Sequence, residues 1–155
     1  MTNKTNAASL DIVGIGNAIV DVLTTTDDSF LKKLSFDKGS MTLIDENKAK
    51  ELYEMTTNRV QRSGGSVAKS LACVAQLGGK AAFIGRVKND MLGGIFTEEI
   101  SRTGTIFKTP PSLDGPSTAR CLIFVTPDAQ RTMCTYLGAS VLLDPNDLDI
   151  LAVKE

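Results

Sequence analysis

The chain has 155 residues, of which 42% are hydrophobic and 23% charged, with a formal net charge of −1. That length allows one domain with its own core, and the composition is typical of a globular protein. The near-neutral charge and the lack of a basic run argue against nucleic acid as a partner. The apolar runs are too short to span a membrane, so we expect no membrane partner.

The cysteine and histidine content restricts the possible chemistry. There is no histidine, and the three cysteines, Cys73, Cys121 and Cys134, are widely spaced without a C-x-x-C pair. This spacing argues against a disulfide framework or a metal site and predicts a reducing, cytoplasmic location. Catalysis by a Ser-His-Asp or Cys-His arrangement is excluded within this chain.

Residues 1–9 are small and polar and lack the apolar segment of a secretory signal, so they predict a loose tail. The apolar run Leu10–Ile15 predicts a buried strand, and Asn17–Val22 predicts a second strand. The next elements are predicted from periodicity and capping residues. They are a helix over Ser29–Leu34 capped by Asp27 or Asp28, a strand over Ser40–Ile44, a helix over Glu46–Met55 capped by Asp45, and a loop over Thr56–Arg62.

The stretch from Ser63 to Gly94 organises the rest of the chain. Gly64 and Gly65 precede an amphipathic helix over Ser66–Leu77. A ligand at this point could therefore approach backbone that carries no side chain and the free N–H groups of the first helical turn. We interpret this glycine pair as the floor of a polar-ligand pocket, and a tight turn feeding a helix is the alternative. A strand over Ala81–Ile84 follows. A helix over Met91–Arg102, begun by Asn89 or Asp90, completes an alternating pattern that predicts a mainly parallel sheet.

The sequence pattern changes from Thr105 onward. Short, partly polar strands are predicted over Thr105–Lys108, Thr118–Thr126 and Arg131–Leu137, with a hairpin turn at Pro127–Gln130. These strands suit a small sheet standing off the main one. A further strand or helix is expected to begin around Pro145.

Asp21 is the first candidate site residue, and it has two interpretations. It lies between Val20 and Val22, so it is either a polar residue on an exposed strand face or a carboxylate at the mouth of the first strand, where open α/β sheets bind ligands. Two phosphate-binding motifs are incomplete. Ile19 replaces the third glycine of G-x-G-x-x-G, and Ser63 and Ala68 replace both glycines of a P-loop.

Three segments together carry a family resemblance: GNAIVD at 16–21, GGSVAKSLACVAQLGG at 64–79 and IGRVKNDMLG at 84–93, with CTYLGAS at 134–140 in support. The chain resembles the N-terminal half of a PfkB (ribokinase-like) carbohydrate kinase, on the branch that includes adenosine kinase. The resemblance implies part of an α/β three-layer sandwich over residues 10–155. It also implies a small β-sheet lid, with lid strands within residues 18–44 and 105–137.

The resemblance implies transfer of the ATP γ-phosphoryl group to a sugar hydroxymethyl oxygen with Mg²⁺, on a sugar or nucleoside. Asp21 would accept hydrogen bonds from sugar hydroxyls, with Asn17 at the same mouth, and a charged acceptor makes the stronger bonds. Gly64 and Gly65 would let the sugar rest against backbone.

Lys69 departs from the family pattern, because it stands where the family usually has asparagine. Lysine only donates hydrogen bonds and adds a charge, whereas asparagine donates and accepts. One possibility is that Lys69 pairs with Asp21 and fills the site, and our hypothesis is that Lys69 weakens or abolishes sugar binding.

A second departure is that the family's GAGD-like anion-hole motif does not occur in this chain. The catalytic base, an aspartate, would then lie beyond residue 155, and we expect no kinase turnover from these residues alone, since phosphoryl transfer needs positioned phosphates. One hypothesis is the substrate-binding half of a kinase. Another is a non-catalytic binding module that dimerises through its lid strands, and a third is a truncated product.

Overall fold

The computed structural model describes residues 10–148. The tail predicted over residues 1–9 and the last part of the element predicted around Pro145 lie outside these residues. The described strands are β1 (Ile12–Ile15), β2 (Ile19–Thr25), β3 (Met41–Leu43), β4 (Val60–Gly64), β5 (Ala81–Ile84), β6 (Ile106–Phe107), β7 (Ala119–Val125) and β8 (Arg131–Tyr136). The described α-helices are α1 (Asp28–Lys33), α2 (Glu46–Met55), α3 (Ser66–Gln76) and α4 (Met91–Arg102). Two short 3-10 turns, Gly138–Leu142 and Pro145–Asp147, follow β8.

The strands form two sheets. The first has three parallel strands in the order β1-β5-β6. The second has five strands in the order β3-β8-β7-β2-β4. Within it, β2 is parallel to β7 and β3 to β8, whereas β2–β4 and β7–β8 are antiparallel.

Both α3 and α4 pack on the same face of the three-stranded sheet. A Cβ atom added at Gly14 would lie 2.7 Å from Val67 and 2.8 Å from Leu71, so α3 approaches β1 closely because that residue has no side chain. Phe83 of β5 contacts Phe96 of α4, with ring centroids 5.7 Å apart. Such tilted aromatic pairs stabilise a core beyond their buried area.

Helices cover one face of the five-stranded sheet, and the opposite face is exposed at its edge strands but not at its centre. Helices α1 and α2 cover the first face, where Leu31 and Leu52 pack against Leu122, Phe124 and Cys134. Side chains alternate between the two faces along each strand, and the strand register places the other half of them on the opposite face, which we call the open face. Its edge residues Met41, Leu43 and Val60 are 56%, 60% and 49% exposed.

The predicted helix starts are confirmed by their caps. Asp27, Asp45 and Asp90 each accept a hydrogen bond from a backbone N–H in the first turn of α1, α2 and α4. An acceptor at this position satisfies a donor that the helix leaves unpaired. The bounds of α2 and α4 agree with the prediction, since the caps mark where each amphipathic pattern begins.

Two sequence-based predictions about strands are wrong. The loop predicted over Thr56–Arg62 overlaps β4, an edge strand that pairs with β2 and whose exposed side explains its polar sequence. The strand predicted over Thr105–Lys108 was assigned to the small sheet, but β6 pairs with β5 in the three-stranded sheet. Phe107 fixes this position, because its ring packs on Phe83 and Phe96 at 5.7 and 5.3 Å.

Candidate functional site

The candidate site lies where the chain passes between the two sheets. Residues 16–18 connect β1 to β2, and Gly65 alone connects β4 to α3. Gly65 has φ +91°, and a Cβ atom there would overlap the backbone carbonyl oxygen of Asn17. Only glycine fits this conformation and this contact without strain. The two connections therefore run side by side, and they bring Asn17 next to the glycine pair.

Asp21 projects from β2 on the open face, close to this junction. The residue is 7% exposed and is paired in register with Arg62 of β4 and Cys121 of β7. A Cβ atom at Gly64 would overlap the Asp21 carboxylate. The glycine at position 64 therefore makes the space that the carboxylate occupies.

Lys69 closes the other side of the site. It is in the first turns of α3, and its Nζ atom donates to Oδ2 of Asp21 over 2.6 Å. The Lys69 side chain is 60% exposed, whereas that of Asp21 is 10% exposed. The pairing raised as a possibility from the sequence is therefore present, and it joins a largely exposed lysine to a largely buried carboxylate.

The five predicted site residues are brought together by these contacts. Gly64 lies against the Asp21 carboxylate, Gly65 against Asn17, and Lys69 on Asp21. The carboxylate can accept hydrogen bonds from two neighbouring hydroxyls, which is the pattern that a sugar diol offers. In the present arrangement one of its oxygens receives the Lys69 ammonium group.

Two neighbours of Asp21 were missed in the sequence analysis. Cys121 and Thr135 lie beside Asp21 in register on the open face, and the Thr135 hydroxyl donates to the Cys121 sulfur over 3.3 Å. Burial raises the pKa of the Cys121 thiol, and the nearby Asp21 carboxylate acts in the same direction. The proximity of Cys121 and Thr135 to Asp21 follows from the strand register, which the continuous apolar sequence of β7 does not reveal.

A buried cation lies on the covered face. Arg120 is 6% exposed, its guanidinium lies 5.7 Å from the Tyr53 ring centroid and 5.9 Å from that of Tyr136, and it donates to Ser117. Stacking between two rings stabilises a guanidinium away from water. Arg120 thus holds the start of β7 against α2 and β8, and it faces away from Asp21.

Residues 10–148 contain no group of three or more cysteine or acidic side chains arranged to hold a metal ion. The described helices are all too short or too polar to cross a bilayer.

Comparison with known proteins assigns the chain to a family. The model of the pfkB family of carbohydrate kinases matches residues 34–155. An adenosine kinase from Sinorhizobium meliloti is similar in structure with a TM-score of 0.85 and 47% identity, over 96% of this chain and 45% of that one. A probable sugar kinase from Rhizobium etli CFN 42 has a TM-score of 0.85 and 44% identity, over 95% of this chain and 44% of that one.

A curated relative, a probable fructokinase-4 from Arabidopsis thaliana, is 29% identical over 61% of this chain and 30% of its own length. The chain therefore spans less than half the length of these relatives. Its mixed α/β structure is part of the ribokinase-like fold of the adenosine kinases it matches. The family model matches well over half of the residues, and the chain belongs to the pfkB family of carbohydrate kinases.

Proposed function

We propose that this chain supplies the substrate-binding half of an ATP-dependent sugar or nucleoside kinase, with Asp21 as the acceptor for sugar hydroxyls. The observation that carries the proposal is the largely buried Asp21 carboxylate, which lies against the side-chain-free Gly64 and has the largely exposed Lys69 as its charged partner. A carboxylate with so little exposure and one charged partner can exchange that partner for the hydroxyls of a sugar. The similar adenosine kinase and sugar kinase support a nucleoside or sugar as the ligand class.

ATP and Mg²⁺ belong, in this proposal, to the portion of the fold outside the matched 45% of the similar adenosine kinase. Among residues 10–148, no three carboxylates lie together in an arrangement that could hold a metal ion. The expected result for residues 1–155 alone is no ADP formation with adenosine, ribose or fructose. Steady, substrate-dependent ADP formation would overturn this part of the proposal.

Lys69 sets the affinity of the site in this proposal. While its ammonium group is on Oδ2 of Asp21, a hydroxyl must displace it before binding. We expect Lys69→Asn to tighten binding of adenosine or ribose by roughly tenfold, equivalent to about 1.4 kcal/mol, because the competing donor is gone. Isothermal titration calorimetry on the wild type and the variant measures this change.

Lys50→Asn is the matched control for this titration. Lys50 is 57% exposed, close to the 60% of Lys69, and it pairs with Glu46 on α2, away from the site. Its removal tests for a general effect of losing one positive charge. Equal affinities of wild type and Lys69→Asn would show that the lysine does not compete with the ligand.

A second candidate function is a binding module that forms a homodimer through the five-stranded sheet. The observation that favours it is the exposure of Met41 and Leu43 on edge strand β3 of the open face. Exposed edge strands and apolar patches are preferred sites of association. Size-exclusion chromatography with light scattering is expected to give a dimer that Leu43→Lys converts to a monomer, and a monomeric wild type would exclude this function.

We also propose a cytoplasmic location, because the three cysteines carry free thiols.

A further inference from the structure

The positive charges around Asp21 are more exposed to solvent than the negative ones. Lys69 of α3 and Arg62 of β4 have side chains that are 60% and 63% exposed, whereas their carboxylate partners Asp21 and Glu99 are 10% and 15% exposed. Arg62 is paired in register with Asp21 on the neighbouring strand, and side chains at such opposed positions start about 5 Å apart. The four charges sum to zero, but those that solvent reaches are mainly the two cations, which favour an anionic ligand.

Arg62 holds its carboxylate partner loosely. The Oε2 atom of Glu99 lies 3.3 Å from Arg62, whereas the Oε1 atom lies 2.8 Å from Arg102. A charge-assisted hydrogen bond is usually about 2.7–2.9 Å long, so the contact of Glu99 with Arg62 is the weaker of the two. Arg102 is also offset by Glu98 over 2.6 Å. Because a guanidinium group carries several N–H donors, Arg62 can attract a further anion without leaving Glu99.

Lys69 also has unused hydrogen-bonding capacity. An ammonium group carries three N–H donors, and among residues 10–148 the Lys69 ammonium donates to a single acceptor, Oδ2 of Asp21. Another lysine of this chain shows that two carboxylates can share one ammonium group, since Lys38 Nζ lies 2.7 Å from Asp28 and 2.7 Å from Asp128. An anionic group can therefore join Lys69 while the bond to Asp21 stays in place.

We propose that the ligand of this site is a sugar acid, whose carboxylate binds Lys69 while its hydroxyls bind Asp21. The inference rests on the proposed function, in which Asp21 accepts sugar hydroxyls, and it narrows the ligand class. Lys69 is on Oδ2 of Asp21, which leaves Oδ1 to accept hydroxyls. A carboxylate at one end of the sugar leaves the hydroxymethyl group at the other end free for phosphoryl transfer. A neutral sugar competes with Lys69 for Asp21, whereas a sugar acid gives the ammonium group a second partner, so the two kinds of ligand depend on Lys69 with opposite sign.

A matched pair of sugars tests the inference by isothermal titration calorimetry on residues 1–155. D-fructose is compared with D-arabino-hexulosonate, the keto acid in which a carboxylate replaces the hydroxymethyl group beside the fructose ketone. The wild type is expected to bind the acid about fivefold more tightly, the upper range for an exposed ion pair. Lys69→Asn is expected to reverse this order, because fructose loses its competitor and the acid loses its partner. Lys50→Asn, the exposed-lysine control on α2, is expected to change neither affinity.

Changes that keep or weaken the positive charge separate electrostatic recognition from shape. Lys69→Arg keeps the charge, so the preference for the acid is expected to persist in this variant. Arg62→Gln is expected to weaken binding of the acid about twofold and to leave fructose binding unchanged, since Arg62 contributes through its charge beside the site. Raising the salt concentration to 1 M shortens the screening length to about 3 Å and is expected to weaken binding of the acid but not of fructose. The salt series uses the wild type, so it decides the question even when a variant does not fold.

Equal affinity of the wild type for the two sugars, or tighter binding of fructose, would overturn the inference. So would a Lys69→Asn variant that binds the acid as tightly as the wild type, because the carboxylate would then lie elsewhere. Binding of adenosine, ribose or fructose without binding of the acid refutes the sugar acid and leaves the proposed function intact. If none of these ligands binds the wild type or Lys69→Asn, the proposed function fails and the inference fails with it.

Discussion

Removing Lys69 from its ion pair with Asp21 is expected to cost more folding stability than removing Asp21. The two charged atoms are 2.6 Å apart, but the Lys69 side chain is 60% exposed and that of Asp21 is 10% exposed. In Asp21→Asn the lysine moves into water at little cost. In Lys69→Met the carboxylate stays largely buried without its charged donor, which is the costly way to break a pair.

The magnitude follows from these exposures. Removing one partner of a fully buried pair costs about 3–5 kcal/mol, and a fully exposed pair contributes about 0.2–1 kcal/mol. Because Lys69 is mostly in solvent, we expect Lys69→Met to lower the unfolding free energy by about 1–2 kcal/mol and Asp21→Asn by less. The coupling energy from the double-mutant cycle is expected to be about 1 kcal/mol.

Urea unfolding of the wild type, both single variants and the double variant measures this cycle. Glu46 and Lys50, four residues apart on α2 with atoms 3.3 Å apart and side chains 35% and 57% exposed, provide the comparison cycle, expected to give about 0.3–0.5 kcal/mol. Raising the salt concentration to 1 M shortens the screening length to about 3 Å and is expected to weaken both couplings. A coupling for Lys69 and Asp21 no larger than that of the helix pair would refute this reasoning.

Three further predictions concern single positions. Gly65→Ala is expected to cost about 1–3 kcal/mol more in urea unfolding than Gly78→Ala, because both have positive φ but only Gly65 also meets backbone. In the native protein Cys73 is expected to be the thiol that reacts rapidly with a disulfide reagent, since the other two cysteines are buried, and Cys73→Ser should abolish that fast phase. Hydrogen bonding to Lys38 lowers the pKa of Asp128 from 3.8 to about 2. The stabilisation from this carboxylate is therefore present above about pH 4 and is lost as the pH falls toward 2. In Asp128→Asn, the free energy of unfolding is expected to depend less on pH over this range.

The sequence was sufficient where local chemistry determines structure. An aspartate before an amphipathic run places the starts of α2 and α4, because the cap bonds form within a few residues. The pairing of Lys69 with Asp21 could be considered from the sequence only because the family pattern relates positions that are 48 residues apart. Periodicity alone would not have joined them.

The misassigned elements depend on contacts distant in sequence. Strand β4 has a polar sequence typical of a loop, and it becomes a strand because β2 offers it backbone partners. Strand β6 has two residues, and the packing of Phe107 on α4 decides which sheet it joins. The positions of Cys121 and Thr135 beside Asp21 follow from register across three strands, which no window of sequence contains.

The adjacent crossings at residues 16–18 and Gly65 have a mechanical consequence. Because the backbone of Asn17 and that of Gly65 are in contact, a change in the angle between the two sheets would pivot at this point. Asp21 belongs to one sheet and Lys69 to a helix packed on the other, so their bond spans the pivot at short range. A ligand that takes the place of Lys69 on the carboxylate would remove this restraint as it binds, and occupancy of the site would then be linked to the inter-sheet angle.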